Sequence, residues 1–387
     1  MKPFRRTAVT NRTLAVLISV MVLFSSRMPQ VWSQTSVVTN RDELPRLPRE
    51  QLLFYYQADG QPATARTAAE WSVRRDSIER GFLTIVGHAR TERDRVPLEP
   101  RIDAEVDCGK FVRRLISYQS EPGCRTPAFL CIPKQLLAAD AEVRMASAVV
   151  CLHSTNDQVG HGLVVGLGAQ PNQAYASELA ERGFVTIAPS YPLLANYQPD
   201  LKALGWESGT LKAVWDNQRA IDLLESLPFV RPGPVGAIGH SLGGHNAVFT
   251  AFMDPRIGVV VSSCGLDSFL DYYDGNEQVW MPEKGWTQTR YMPRLAQYRG
   301  RLEQIPFDFH ELIAGLAPRP VLLIAPQRDE NFRAASVDRI VAAARPVFEL
   351  HAAGEHLRVL HPDCGHDFPK AAREAAYDWI AATLNSN

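Results

Sequence analysis

The spacing of apolar residues divides the chain into three regimes. Residues 14–24 are apolar almost without a break, polar residues and prolines dominate from 34 to 100, and from 110 onward short apolar runs alternate with stretches of helical period. The middle regime predicts two helical patches, 49–56 and 63–85, the second carrying Trp71, Ile78 and Phe82 at helical intervals. It is too poor in apolar residues to hold a core alone. Residues 34–104 therefore read as an extension wrapped around a main domain at 105–387.

Within that domain, 111–118 and 127–132 predict two strands joined at Glu121-Pro122-Gly123, an antiparallel hairpin. A repeated strand-then-helix pattern follows: strand 146–152, helix 173–182, strand 184–188, helix 211–227, strand 235–240, helix 242–253 and strand 257–262. A segment at 266–318 interrupts the alternation and reads as a cap-like insertion. Strand 321–325, helix 335–344, strand 357–360 and helix 371–384 complete it. Apolar strands alternating with helices imply right-handed crossovers and a mostly parallel sheet with helices on both faces, an α/β fold.

Composition changes this picture at the N-terminus. Lys2, Arg5, Arg6 and Arg12 precede the apolar run, and Val31-Trp32-Ser33 supplies small residues at cleavage-site spacing, so 1–33 reads as a secretory signal peptide. The run is shorter than the ~20 residues of a membrane-spanning helix. Export, to the periplasm or the exterior, is expected, with no stable membrane span after cleavage. Removing 1–33 leaves 36 basic against 42 acidic residues. Such a balance asks for neither nucleic acid nor an anionic membrane as partner. Six cysteines in an exported chain permit disulfides. Cys151 falls inside a buried strand, whereas Cys264 and Cys364 each follow a strand on one sheet edge, where a bridge could form.

The chemistry centres on 235–244, Val-Gly-Ala-Ile-Gly-His-Ser-Leu-Gly-Gly. In a G-x-S-x-G turn a strand runs into a helix so sharply that the serine is strained and its neighbours must be nearly bare. Gly239, Gly243 and Gly244 meet that demand around Ser241, and the turn would aim the Leu242 N–H at a developing oxyanion. A serine hydroxyl needs a base, and the base an orienting acid. In a parallel sheet the strand C-termini share one edge, so both belong just after later strands. Asp329 follows strand 321–325 and His366 follows the last strand. Glu330 rivals Asp329 but lies farther from its strand. His361 rivals His366 but belongs to the strand end, and Gly365 frees His366 to turn inward. His240 reads as packing. The spacing His361-x-x-Cys364-x-His366 resembles metal ligation, yet no second cluster completes a site; no metal or organic cofactor is expected. The loop His153-Ser154-Thr155-Asn156 offers the Ser154 or Thr155 N–H as a second oxyanion donor.

These residues resemble the α/β-hydrolase superfamily: Gly239-His240-Ser241-Leu242-Gly243, Asp329 after the penultimate strand and Gly365-His366 after the last. Its exported dienelactone-hydrolase-like and acetylxylan-esterase-like branch looks closest, over about residues 105–385. The resemblance implies an eight-stranded sheet with one antiparallel strand and a Ser241, Asp329, His366 triad. Two departures limit it. Dienelactone hydrolases use cysteine where this chain has Ser241, so their lactone substrate does not carry over, and the oxyanion loop lacks the His-Gly-Gly-Gly run of many esterases.

The insertion carries Tyr272, Tyr273, Trp280, Trp286, Tyr291 and Tyr298, rings that suit flat sugar faces or aromatic acyl groups. Trp286, Tyr291 and Tyr191, the last after another strand, are the candidate substrate-wall residues. The expected function is hydrolysis of carboxylic esters, acyl or acetyl esters of a small-molecule or polysaccharide carbohydrate, through an acyl-enzyme. Two rivals stand beside it: a prolyl-oligopeptidase-like peptidase, though the chain has no room for the propeller that gates such enzymes, and a non-catalytic binding protein on a hydrolase fold. Oligomeric state is not legible in the sequence.

Overall fold

The computed structural model describes residues 44–138 and 145–385, and the leader expected at 1–33 lies outside them. Among the described residues no helix is long and apolar enough to cross a membrane. Strands β1 (Phe54–Tyr56) and β2 (Pro62–Thr64) pair antiparallel. They replace the helix expected at 49–56, because three consecutive aromatics favour a pleated strand and Gly60, at φ 82, turns the chain back into β2. Helix α1 (Ala68–Val86) starts where the Thr67 hydroxyl accepts the Glu70 N–H and the Glu70 carboxylate accepts the Thr67 N–H. This reciprocal cap cuts the expected helix short at its N-terminal end.

The remaining elements are β3 (Arg101–Asp107), β4 (Phe111–Glu121), β5 (Cys124–Pro133), β6 (Ala148–Leu152), α2 (Tyr175–Glu181), β7 (Val185–Pro189), α3 (Gly209–Ser226), β8 (Val235–His240), α4 (Leu242–Met253), β9 (Ile257–Ser263), α5 (Phe309–Ala314), β10 (Val321–Ile324), α6 (Ala334–Leu350), β11 (Leu357–Leu360) and α7 (Lys370–Leu384). The large sheet runs β11-β10-β9-β8-β6-β7-β5-β4-β3. From β4 to β11 only β5 opposes its neighbours, pairing antiparallel with both β4 and β7. These eight strands match the expected sheet. The edge strand β3 adds a ninth, antiparallel to β4. Periodicity misses it because all seven of its residues are exposed, so it has no buried face to mark it.

Helices cover both faces, as a mostly parallel sheet requires. Leu179 of α2 and Ile380 of α7 pack against Val149 and Val261 on one face, while Leu224, Phe249 and Ile340 of α3, α4 and α6 pack with Val150 and Val260 on the other. This second core also takes in Trp71, Ile78 and Phe82 of α1 and Phe269, Trp280, Trp286 and Phe307 of the insertion. The Phe82 ring lies 5.4 Å from Phe249 and 5.2 Å from Phe307. Ion pairs fasten the same seam, with Arg46 and Arg74 each taking one oxygen of Glu311 at 2.6 and 2.8 Å. All six cysteines are free thiols.

Candidate active site

At the end of β8, Ser241 stands at φ 56, ψ −121, a conformation side chains rarely adopt. Its N–H is held by Ser263 O at 2.8 Å. The crowding explains the glycines. A Cβ on Gly243 would sit 1.8 Å from Leu152 O, and one on Gly239 2.1 Å from Gly243 O. The ends of β6 and β8 and the start of α4 therefore close together only with hydrogen at these positions. His245 N–H donates to Ser241 O as α4 begins, and the N–H of Leu242, at its first position, has no acceptor among the described residues.

Parallel pairing carries the ends of β8, β9, β10 and β11 to one edge. There the His366 Nε2 lies 2.9 Å from Ser241 Oγ, and its Nδ1 lies 3.0 and 2.9 Å from the Asp329 oxygens. The His366 side chain keeps 25% of its surface exposed whereas that of Asp329 is fully buried, so the imidazole can be reached from outside and the carboxylate cannot. Burial pushes the Asp329 carboxyl up, but the hydrogen bond and charge of His366 and the N–H groups of Asn331 and Phe332 outweigh it and leave the carboxyl below its usual range. The charged Asp329 facing Nδ1 favours a His366 proton on that nitrogen, which leaves Nε2 to face the Ser241 hydroxyl.

The rivals lie elsewhere. Glu330 is exposed, and His361 is engaged by Ala325 O and Asp338 at 2.8 and 2.9 Å. His240 is buried with Nδ1 3.1 Å from Ser263 Oγ, and its ring stacks on Phe368 and stands 5.0 Å from His366. Burial, then the neighbouring His366, lowers its pKa to about 3, so it supports the base as a neutral ring.

In the loop after β6, the Ser154 hydroxyl is turned inward, 2.8 Å from Gln173 Oε1 and 3.2 Å from His240 O, which sets this loop against the serine turn. The Ser154 and Thr155 N–H groups meet no acceptor among the described residues. Exposed Thr155 joins its Oγ1 to the hydroxyl of half-buried Tyr291 at 2.9 Å. Tyr191 differs from expectation. It is buried against Leu242, its hydroxyl spent on Arg290 O at 2.7 Å, because it packs in a small apolar cluster with Leu194, Ala213 and Leu242.

Trp286 is buried beside His245, ring centroids 4.6 Å apart, and both lie near Tyr291. His245 was not singled out by sequence reasoning, although its place four residues after Ser241 puts it on the serine's side of α4. Its Nδ1 lies 3.0 Å from Gly265 O, which only accepts, so Nδ1 carries the proton. Nε2 is then an acceptor, and it is buried without a partner among the described residues, as is the donor Nε1 of Trp286. Burial, opposed by the Gly265 carbonyl, lowers the His245 pKa to about 3 and keeps the ring neutral.

Comparison with known proteins gives a consistent picture. A family model described as glucuronyl esterase of fungi matches residues 205–352. A protein of Bacillus subtilis (strain 168) named YtaP and assigned as a hydrolase is 26% identical over 270 residues, 67% of this chain and 84% of its own. The 4-O-methyl-glucuronoyl methylesterase 1 of Wolfiporia cocos (strain MD-104) is 29% identical over 150 residues, 35% of this chain; the match spans only 36% of that relative. Among solved structures, a glucuronoyl esterase from Solibacter usitatus superposes with a TM-score of 0.67 at 19% identity, covering 88% of this chain and 99% of its own. A structure from Bacteroides fragilis NCTC 9343, titled only as a candidate acetyl xylan esterase, gives 0.54 at 15% identity, with 86% and 94% covered. The chain has the α/β-hydrolase fold.

Proposed function

We propose that this α/β-hydrolase, a carboxylic ester hydrolase, cleaves esters of carbohydrates by a serine acyl-enzyme mechanism, and that uronic acid esters are its first substrate class. The observation that carries the reading is the unbroken line from Asp329 through both nitrogens of His366 to Ser241 Oγ. In this reading Ser241 Oγ attacks the ester carbonyl as its proton passes to His366 Nε2. The charge that develops on the carbonyl oxygen meets the Leu242 N–H and an N–H of Ser154 or Thr155, each worth roughly 10²-fold to 10³-fold in rate. His366 returns the proton to the departing alcohol. It then takes one from water, whose oxygen frees the acid and restores Ser241. Asp329 stays ionised throughout and stabilises the imidazolium.

Two features support a sugar acid over a simple acyl group. The family model described for glucuronyl esters spans α3 through the insertion to α6, and a relative named for such esters matches 150 residues of the chain. On the first turn of the helix that follows Ser241, His245 has, among the described residues, a free acceptor in Nε2 and Trp286, its ring 4.6 Å away, a free donor in Nε1; in this reading sugar hydroxyls that reach these buried atoms satisfy them. The signal-like leader at 1–33 supports a site of action outside the cytoplasm.

The test is a substrate panel: methyl ester of a hexuronic acid glycoside, an acetylated pentose glycoside, an aryl acetate and a peptide amide. The reading expects the highest kcat/KM on the uronate ester and none on the amide. Preference for the acetylated sugar would return the reading to acetyl esters. Cleavage of the amide alone would replace it with the peptidase.

A further inference from the structure

Two side chains that the ester chemistry leaves unused sit directly against it. Cys264 follows β9 in the left-handed region, at φ 48, with its N–H fixed to Ile324 O at 2.8 Å. It is buried, and its sulfur, an Asp329 carboxylate oxygen and a His366 ring nitrogen all lie within 4.8 Å of one another. Cys364 lies two residues before His366 on the loop after β11, half-buried, its own carbonyl accepting the Arg328 N–H at 3.0 Å. The two thiols converge on one atom. Cys264 Sγ lies 3.4 Å and Cys364 Sγ 4.0 Å from the carbonyl oxygen of Asp367, the residue that follows His366.

Thiols that share an acceptor are neighbours, and both of these lie against the loop that carries His366. Cys264 is held by the sheet and Cys364 lies on the loop after β11, so a bond of ~2.05 Å asks the Cys364 side chain to change rotamer and its loop to shift toward β9. We propose that Cys264 and Cys364 are an oxidisable pair, which a small-molecule disulfide converts into a protein disulfide that ties the His366 loop to the end of β9. Cys364, nearer solvent, loses its proton and its thiolate attacks one sulfur of the small disulfide, expelling the first small thiolate. The thiolate of Cys264 then attacks the Cys364 sulfur and expels the second. One protein S–S bond forms, one small-molecule S–S bond is cleaved to two thiols, and the two electrons pass from protein to reagent.

The bond would close a long loop of chain and so restrict the unfolded state more than the native one. It would also keep His366 over Asp329 when heat loosens the surface. Burial pushes both thiols above the ordinary range, so the exchange is slow at neutral pH and faster in mild alkali.

The proposal rests on the esterase reading only in what the clamp protects; the bond itself is read without any substrate. Full-chain protein is incubated with oxidised or reduced glutathione at about pH 8.5, denatured with iodoacetamide, digested and weighed. The expected result is a linked peptide pair carrying Cys264 and Cys364, the other four cysteines alkylated, a melting temperature several degrees above the reduced form, and loss of that gain in Cys364→Ser. Ester hydrolysis surviving a heat step longer in the oxidised form would follow. Alkylation of both residues after oxidation, glutathione on Cys364 alone, or a pair formed by other cysteines would overturn it. A Cys364→Ser chain that fails to fold leaves the wild-type mapping, and its reversal by reductant, to decide. A protein that cleaves no ester would still give the linked peptides, so the two readings fail separately.

Discussion

Ser241 owes its position to what its neighbours lack. Gly239 and Gly243 leave room for the backbones of β6, β8 and α4 to close around a residue at φ 56, and any Cβ there would meet a carbonyl oxygen. That requirement is legible in sequence, because only glycine fits it and the spacing around serine is fixed. Asp329 and His366 were legible for a related reason: each follows a strand whose C-terminus shares the serine's edge. The uncommitted pair at His245 and Trp286 was not. It depends on the His245 tautomer, set by Gly265 O across the turn after β9, which no local pattern encodes. If these groups read a ring hydroxyl, His245→Phe and Trp286→Phe each lower kcat/KM on a hydroxylated uronate ester about tenfold. Hydrolysis of an aryl acetate, which offers no such hydroxyl, stays within about twofold. Equal losses on both substrates would show that these rings shape the site without reading the sugar.

Among the elements, the N-terminal extension and the insertion after β9 brace each other. Glu311, in α5 of the insertion, accepts from Arg46 and Arg74 and also takes the Asp308 N–H at 2.7 Å in a capping box. Both its oxygens are engaged, and its side chain is 1% exposed. Glu311→Gln keeps the shape but leaves two cations facing a neutral amide, one of them, Arg74, buried. Breaking a buried pair in this way costs about 3–5 kcal/mol, measured as a fall in denaturant midpoint at unchanged slope. The sequence leads one to expect an extension that depends on the main domain, since it lacks apolar residues for its own core. It does not reveal how the two meet, because the partners are more than two hundred residues apart, and its local pattern points to helix at β1, where strand pairing with β2 overrides it. The nine-stranded count was equally hidden, since β3 buries neither face.

For the whole molecule, the sheet converts chain order into convergence: strands far apart in sequence deliver serine, acid and base to one edge. The same edge gathers acidic groups. Asp267, buried just after β9, receives only the Arg333 N–H at 3.3 Å on one oxygen and has no partner on the other among the described residues. Burial, only partly offset by that N–H, and the charges of Asp308, Asp271 and Asp329 raise its pKa to about 8. A carboxyl whose folded pKa is raised favours the native state below its unfolded pKa, and that contribution is lost as pH rises through the folded value. Wild-type stability should therefore decline between about pH 4 and 8, whereas Asp267→Asn should lack this decline, the gap reaching a few kcal/mol at the upper end. Parallel pH profiles for the two proteins would show that Asp267 does not titrate in this window.

The central claim is that Ser241 is a nucleophile activated by His366 and Asp329. The most direct measurement is the intact mass of wild type, Ser241→Ala and His366→Gln after exposure to a fluorophosphonate, with the labelled peptide sequenced. The account predicts one adduct on Ser241 in wild type, none in Ser241→Ala, and labelling slowed by about 10³-fold or more in His366→Gln. Folded wild type that takes no label, or a label that persists when Ser241 is replaced, would contradict it.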